Sequence, residues 1–278
     1  MDEPAILGKV ATTGGSGFIG RALVALLRSR GIPVLELGRA DLAAPALEGV
    51  DAVIHLAGLA HRGAREADFD AINHRLTRQL LDAAIAQGVR RVVFVSSIHA
   101  ATADTPYGRS KRDAEQAIAA RSDEIETVIV RPPLVYGRDA RANFARLLRL
   151  CDSPLPLPFG AVHNRRSLVG RSNLCDALLF LAAHPGAAGG TFPVTDGPPL
   201  SLADMVRLIR RALGRPARLV KVPVPLLRAA LVAAGRAHLA EQLLDDLVID
   251  GSALAALGWR PPLAPLDARE LTAGPEQR

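Results

Sequence analysis

The sequence predicts an α/β fold in which a doubly wound parallel sheet is followed by a smaller C-terminal lobe. Short apolar runs alternate with helical patterns through the first half of the chain, and a glycine-rich turn joins the first strand to the first helix. After about residue 140 the pattern changes, and the proline-rich stretch 153–158 cannot form a helix or a central strand. We therefore expect one domain over 1–140 and a lobe over 141–278, with some chain crossing back.

The individual elements follow from the apolar runs. The predicted strands are 6–12, 34–37, 52–56, 91–96 and 127–130, and the predicted helices are 18–30, 69–87, 107–121 and 201–213. Gly31 ends the first helix, and two prolines stop the fifth strand after Arg131. The last helix begins at the capping residue Ser201 and stops at Gly214.

Composition excludes several classes of protein. The net charge of +6 comes from scattered arginines that are not interleaved with aromatic residues, so no nucleic-acid partner is expected. The longest apolar stretch, 226–240, is interrupted by charged residues and is too short to span a membrane. Two cysteines without metal-ligand spacing, together with an acidic N-terminus that lacks a secretory pattern, lead us to expect a cytoplasmic protein without a metal site.

Three glycines, Gly14, Gly17 and Gly20, lie between a predicted strand and a predicted helix. In that context glycines allow backbone N–H groups to approach a pyrophosphate, and the helix N-terminus adds partial positive charge. A structural loop without a ligand is the alternative. A later strand ends in small residues over 56–58, on which a nicotinamide nucleotide could lie, and we interpret His55 there as a wall residue.

Tyr107 and Lys111 are the most informative pair, because positions i and i+4 share one face of a helix. The chain contains only two tyrosines and three lysines, so chance is a poor explanation of this spacing. We expect the ammonium, together with an oxidised nicotinamide, to favour the phenolate and to lower the tyrosine pKa toward working pH. Ser96 and Ser97 end the preceding strand, where a hydroxyl can hold a substrate oxygen or can merely cap the strand.

The motifs TGGSGFIG, VFVSS, YGRSK, RPPLVYG and LGWRPP resemble those of the extended short-chain dehydrogenase/reductase family. The resemblance covers nearly the whole chain and is closest to nucleotide-sugar 4-epimerases and 4-keto-reductases. Among these are UDP-glucose 4-epimerases and the enzymes that form UDP-N-acetylquinovosamine from a UDP-4-keto-6-deoxy-N-acetylhexosamine. The resemblance implies a Rossmann-type cofactor domain, a substrate lobe and a homodimer.

The resemblance also implies roles for individual residues. Tyr107 and Lys111 would transfer the proton, and Ser97 would orient the sugar C4 oxygen. In the lobe, Asn143 would lie near the uracil and Arg166 would clamp the diphosphate. The residues expected to bind the cofactor are Gly14, Ser16, Gly17, Phe18, Ile19, Gly20, Arg39, Asp41, Leu42, Leu56, Ala57, Gly58, Asn73, Ser96, Tyr107, Lys111 and Pro132.

Several positions depart from the family pattern. Gly38 replaces the usual acid after the second strand and Arg39 follows it, which favours NADP(H), although Glu36 leaves NAD(H) possible. The stretch 39–51 is too short for the usual helix and third strand, so Asp41 and Leu42 are left as the adenine contacts. Only ten residues separate Ser97 from Tyr107, which predicts a more open substrate pocket.

Two further departures concern the reaction. Leu134 stands where epimerases often have asparagine, and Ile98-His99 stands where dehydratases have Asp-Glu. The sequence therefore predicts hydride transfer at C4 of a UDP-linked hexose, most consistent with reduction of a 4-keto sugar. UDP-glucose or UDP-N-acetylglucosamine 4-epimerisation is the first alternative. A non-catalytic dinucleotide-binding sensor or assembly protein is the second.

Overall fold

The computed structural model describes residues 5–38, 40–58, 75–102, 105–140 and 142–272. The chain divides into two compact units. The first comprises Met1–Pro133, Ser172–Val194 and Gly251–Pro262, and the second comprises Leu134–Arg171, Thr195–Asp250 and Leu263–Arg278. This division differs from the predicted boundary at residue 140. The second unit starts earlier, and the chain returns to the first unit because its last strand pairs there.

The strands in the described residues are β1 (Val10–Thr13), β2 (Val34–Leu37), β3 (Ala52–His55), β4 (Arg91–Val95), β5 (Glu126–Arg131), β6 (Leu134–Tyr136), β7 (Leu168–Gly170) and β8 (Thr191–Pro193). The first unit contains one parallel sheet of six strands in the order β2-β1-β3-β4-β5-β8. The predicted Rossmann-type α/β fold is thus confirmed. The predicted first strand began too early: Ile6 is 97% exposed, and pairing with β2 starts only at Val10.

The strand order reverses beside β1. Val10 of β1 is in register with Val34 of β2 on one side and with Ala52 of β3 on the other. Between residues 40 and 51 the chain forms a single 3₁₀ turn, Asp41–Ala43, and no strand, as the short connection predicted. In open parallel sheets the crevice at such a reversal, beyond the carboxyl ends of the strands, is where ligands bind.

The helices in the described residues are α1 (Phe18–Ser29), α2 (Leu76–Ala86), α3 (His99–Thr102), α4 (Pro106–Ala119), α5 (Ala142–Asp152), α6 (Arg171–Ala183), α7 (Leu202–Ala212), α8 (Val224–Ala233), α9 (Ala237–Leu244), α10 (Ser252–Ala256) and α11 (Ala268–Leu271). α4 starts at Pro106 because the Thr105 hydroxyl accepts the Gly108 N–H at 3.0 Å. Ser201 caps α7 in the same way, as predicted. None of the described helices combines the length and apolar character needed to cross a bilayer.

The core of the first unit lies on both faces of the sheet. Every residue of β1, β3 and β4 is buried, as expected for parallel strands covered by helices. Leu80 of α2 and Ile118 of α4 pack in one cluster with Phe94 of β4. Burying each such side chain contributes about 1.5–3 kcal/mol. This packing fixes the sheet edge that carries the candidate site.

The second unit contains the parallel pair β6 and β7. The buried Tyr136 hydroxyl donates to Asp196 and accepts the Leu266 N–H at 2.7 Å. Asp196 also accepts the Gly170 N–H at 2.8 Å, so one carboxylate joins both strands. Leu266 has a φ of 56°, a left-handed conformation unusual for leucine, and the bond to Tyr136 helps to hold it.

Candidate active site

The loop between β1 and α1 contains the three predicted glycines. Gly14 has a φ of 68°, and its carbonyl accepts the Gly17 N–H at 2.9 Å. Gly17 is the residue before α1, so Ser16 lies in the turn, and Phe18 and Ile19 form the first turn of the helix. The loop therefore brings backbone N–H groups and a helix N-terminus to the carboxyl end of β1.

The backbone around Gly14 and Gly20 leaves no room for a side chain at either position. A Cβ on Gly20 would lie 2.1 Å from the Gly14 carbonyl oxygen and 2.7 Å from the Gly15 Cα. A Cβ on Gly14 would lie 3.1 Å from the Ala57 backbone nitrogen. The helix, the turn and the residues after β3 thus approach closely, which places Leu56, Ala57 and Gly58 beside the glycine turn.

His55 ends β3 and holds this approach together. Its Nδ1 lies 2.7 Å from the Thr13 hydroxyl and its Nε2 lies 2.9 Å from the Thr77 hydroxyl. The Thr13 hydroxyl also accepts the Ala57 N–H at 2.9 Å. Burial, with a smaller contribution from Lys111, lowers the pKa of His55 to about 3. A neutral, doubly bonded imidazole agrees with its interpretation as a wall residue.

Ser97 and Tyr107 come together beyond the carboxyl end of β4, and Lys111 contacts the last residue of that strand. Ser97 follows the strand, and its side chain hydrogen-bonds the Tyr107 hydroxyl. Its Oγ also lies 3.3 Å from the His99 backbone nitrogen, which donates to it. The ring of His99 contacts that of Tyr107 edge-on, with centroids 6.2 Å apart. The sequence prediction of a serine hydroxyl beside the phenol corresponds to this arrangement.

Lys111 is buried one helical turn beyond Tyr107. Its Nζ donates to the Val95 carbonyl at 3.0 Å and lies 4.7 Å from the centroid of the Phe94 ring. Burial lowers the pKa of Lys111 to about 8, while the Glu115 carboxylate acts in the opposite direction. The ammonium is therefore charged at neutral pH and is fixed by the backbone of β4.

In the chain alone, the proton affinity of Tyr107 is set mainly by burial. Burial raises its pKa above the ordinary value, and the hydrogen bond from Ser97 only partly offsets this. The phenol is accordingly protonated at neutral pH. The lowering expected from Lys111 together with an oxidised nicotinamide stays a prediction.

Two residues flank the group on neighbouring strand ends. Ser96 is buried, and its Oγ has no hydrogen-bond partner within the described part of the chain. Pro132 directly follows β5, and its carbonyl accepts the Ile98 N–H at 3.1 Å. Both lie on the sheet edge that carries the glycine turn.

The residues predicted for the adenosine end lie after β2. The Asp41 carboxylate accepts the Gly38 N–H at 2.7 Å, which closes the 3₁₀ turn. Leu42 is 2% exposed and packs in the hydrophobic core, so little of it can contact a ligand. Glu36 forms a 2.8 Å ion pair with Arg28, and its Oε2 lies 2.6 Å from where a Cβ on Gly15 would be. Arg39 and Asn73 lie outside the described residues.

The predicted substrate residues of the lobe lie in the second unit. The Asn143 amide donates to Gln242. Arg166 donates through Nη1 to the Asp245 carbonyl at 2.6 Å, and its backbone pairs with Leu200. Burial lowers the pKa of Arg166, and the nearby Asp245 opposes that shift.

The residues of the first unit fit a nicotinamide dinucleotide. The glycine turn is a cradle that a Cβ would fill, as phosphate binding at a helix N-terminus requires. At the same sheet edge Ser96 supplies a buried hydroxyl that has no hydrogen-bond partner among the described residues. The Lys111 ammonium lies one helical turn from Tyr107 and donates to the Val95 carbonyl.

The sequence reasoning missed one buried ion pair. Arg131, the last residue of β5, donates to Glu115 of α4 through Nε at 2.9 Å and through Nη2 at 2.5 Å. Glu115 is one helical turn beyond Lys111, on the same face. A glutamate four residues after the lysine was the signal that could have identified this contact.

Comparison with known proteins agrees with this geometry. Residues 10–194 match the model of the NAD dependent epimerase/dehydratase family. A UDP-glucose 4-epimerase from Vibrio cholerae is 35% identical over 243 residues, covering 78% of this chain and 74% of the relative. A UDP-2-acetamido-2,6-beta-L-arabino-hexul-4-ose reductase from Pseudomonas aeruginosa is 32% identical over 142 residues, covering 49% and 38% respectively.

The solved structures share the fold. The crystal structure of a UDP-N-acetylglucosamine 4-epimerase from Bacillus cereus superposes with a TM-score of 0.71 at 22% identity, covering 92% of each chain. Because the family model covers more than half of the sequence and the Vibrio relative most of it, the chain belongs to the NAD-dependent epimerase/dehydratase family.

Proposed function

We propose that the protein reduces the 4-keto group of a UDP-linked 4-keto-6-deoxy-N-acetylhexosamine, with NADP(H) as the cofactor. One observation carries this proposal: Tyr107 is a protonated phenol bonded to Ser97, and the Lys111 ammonium is fixed one helical turn away. A phenol is a proton donor, and reduction of a ketone needs a proton at the new alkoxide. Membership of the family and the UDP-sugar relatives support the substrate class.

Each residue has a separate part in this reaction. The nicotinamide, when bound, supplies the hydride. Ser97 donates a hydrogen bond to the C4 oxygen, and Tyr107 transfers its proton to the same oxygen. The Lys111 ammonium then stabilises the phenolate that Tyr107 becomes. Three groups already near one another need little reorganisation, which lowers the entropic part of the barrier.

The first alternative is 4-epimerisation of UDP-glucose or UDP-N-acetylglucosamine, which the Vibrio relative supports. It uses the same residues, but Tyr107 must begin as a base that removes the proton of the C4 hydroxyl. The choice of reduction therefore rests on Gly38 and Arg39, which favour a cofactor that is exchanged at each turnover.

Paired assays distinguish reduction from epimerisation. One tube contains the protein and UDP-N-acetylglucosamine without added cofactor, and the other contains a UDP-4-keto-6-deoxy sugar with NADPH. Consumption of NADPH in the second tube, without epimer in the first, is the expected result. Epimer in the first tube would overturn the choice of reduction.

The cofactor preference is proposed from Gly38 and Arg39, because an arginine beside a glycine accommodates a 2′-phosphate. Glu36 favours NAD(H) instead, although its pairing with Arg28 partly neutralises the carboxylate. Dissociation constants for NADPH and NADH measured by calorimetry decide between them. Weaker binding of NADPH would overturn the preference.

We also propose that Asn143 contacts the uracil, that Arg166 contacts the diphosphate, and that the protein is a homodimer. A planar guanidinium suits two phosphate oxygens. Arg166→Lys should therefore raise KM for the UDP-sugar without changing affinity for the cofactor. Light scattering reports the oligomeric state, and a monomer at all concentrations would exclude the dimer.

The two tyrosines of the chain provide a matched test of the proton donor. Tyr107→Phe should lower kcat by about 10²–10⁴-fold with cofactor affinity and melting temperature nearly unchanged. Tyr136→Phe, in the second unit, should lower the melting temperature yet retain turnover in the cold. Turnover that survives in Tyr107→Phe would refute the assignment and would favour the non-catalytic alternative of a dinucleotide-binding sensor or assembly protein.

A further inference from the structure

We propose that Glu115, whose carboxylate Arg131 holds through two hydrogen bonds, is a positioning residue that keeps the Lys111 ammonium charged beside Tyr107. The inference rests on the proposed function for its catalytic meaning. Glu115 and Lys111 are both buried and lie on one face of α4. Within the described part of the first unit, Glu115 is the only buried carboxylate.

An ion pair whose carboxylate is buried needs a reason other than stability. The desolvation of two charges offsets most of their attraction, and apolar residues of similar size often stabilise a core equally well. Here the pair has a third charged neighbour, because Glu115 is one helical turn from Lys111. The carboxylate therefore acts on the buried ammonium, whereas Arg131 fixes the positions of the carboxylate oxygens.

Among the residues that the structure describes, the other groups around Lys111 do not supply negative charge. His55 on β3 is neutral, because its pKa is about 3. Tyr107 on α4 is a neutral phenol, and His99 on α3 contacts its ring. Arg78 and Asp82 of α2 line a groove with Arg121 beyond the end of α4, away from the Lys111 contacts. Glu115 is left as the counter-charge that offsets the burial of Lys111.

The sign of the effect distinguishes positioning from mere structural support. Glu115→Gln removes the negative charge and leaves Arg131, so Lys111 should lose its proton at lower pH. Arg131→Gln removes the competing positive charge and leaves the carboxylate, so Lys111 should keep its proton to higher pH. A purely structural role would move Lys111 in the same direction in both variants or in neither.

The three lysines of the chain make the titration directly observable. In protein labelled with ¹³C-lysine, NMR follows Lys9, Lys111 and Lys221 separately, and Lys111→Arg assigns the signal. We expect the Lys111 midpoint, near pH 8 in the parent, to fall by about one pH unit in Glu115→Gln and to rise in Arg131→Gln. Glu124→Gln, which breaks the exposed pair with Arg121, is the matched control and should move nothing.

The pH dependence of kcat/KM with a UDP-4-keto sugar gives the second readout. Its basic limb should shift with the Lys111 midpoint in each variant, and activity of Glu115→Gln should approach that of the parent at low pH. Lys111 midpoints that coincide in the parent and both variants would overturn the inference. If the NMR midpoints move oppositely but no UDP-4-keto sugar is reduced, the positioning stands and the proposed substrate fails.

Discussion

Replacing Gly20 by alanine should disrupt the turn that joins β1 to α1. The added methyl would lie 2.1 Å from the Gly14 carbonyl oxygen, well inside the separation of about 3.5 Å at which such atoms attract. The second close atom, the Gly15 Cα at 2.7 Å, is also backbone, so no side chain can rotate away. The Gly14 carbonyl must therefore retreat, and its hydrogen bond from the Gly17 N–H is lost.

The cost can be estimated from these two effects. Overpacking at a rigid site costs about 1–3 kcal/mol, and a lost hydrogen bond costs about 1 kcal/mol. Together they lower the free energy of unfolding by about 2–4 kcal/mol. At roughly 2–4 °C per kcal/mol for a chain of this size, the melting temperature should fall by about 4–16 °C. Cofactor affinity should fall at least tenfold, because the same backbone forms the phosphate cradle.

Gly15→Ala is the matched control for stability. Its methyl would meet Glu36 Oε2 at 2.6 Å, and this atom ends a flexible side chain whose ion pair with Arg28 is exposed. Breaking such a pair costs under about 1 kcal/mol. Thermal melting with calorimetric titration of the cofactor compares the two variants. Equal losses of stability in both, or parent-like melting and binding in Gly20→Ala, would refute this reasoning.

Two further predictions concern buried polar groups. Tyr136→Phe leaves the Leu266 N–H without its Tyr136 acceptor and removes one of the hydrogen bonds to Asp196, so the free energy of unfolding measured with denaturant should fall by about 1–3 kcal/mol. Parent-like unfolding would contradict this. His55 has a folded pKa of about 3, below its unfolded value of 6.5, so the unfolded chain binds more protons between these values. Stability should therefore fall by about 1 kcal/mol per unit as pH decreases through that window. The stability of His55→Gln should not depend on pH in this way. If the parent and His55→Gln lose equal stability as pH falls, the dependence comes from a group other than His55.

The first half of the fold could be predicted from the sequence because its strands and helices have strong local patterns of apolar residues. Strands β2 to β5 are apolar runs. The stretch 39–51 is short, and it correctly predicted that no additional strand forms between β2 and β3. Strands β6, β7 and β8 have three residues each, too few for any periodicity. They exist because of partners distant in sequence, such as β5 for β8, and the unit boundary depends on the same long-range pairing.

The site was predictable to the extent that it depends on spacing. Tyr107 and Lys111 share a helical face through i, i+4 geometry, and the glycines precede a helix, so both follow from local sequence. The contacts of Lys111 with the Val95 carbonyl and the Phe94 ring come from a different strand. The local sequence pattern predicts neither these contacts nor the burial that shifts the pKa values of Tyr107 and Lys111.

Burial acts on the two reacting groups with opposite sign, because it disfavours the charged form of each. Lysine becomes easier to deprotonate and reaches a pKa of about 8, whereas the pKa of Tyr107 rises. As pH increases, the pair therefore loses the lysine proton first, and Tyr107 remains a phenol wherever Lys111 is charged. That order leaves one transferable proton on Tyr107 and places a cation one helical turn away to stabilise the phenolate, which is what the proposed reduction of a carbonyl uses.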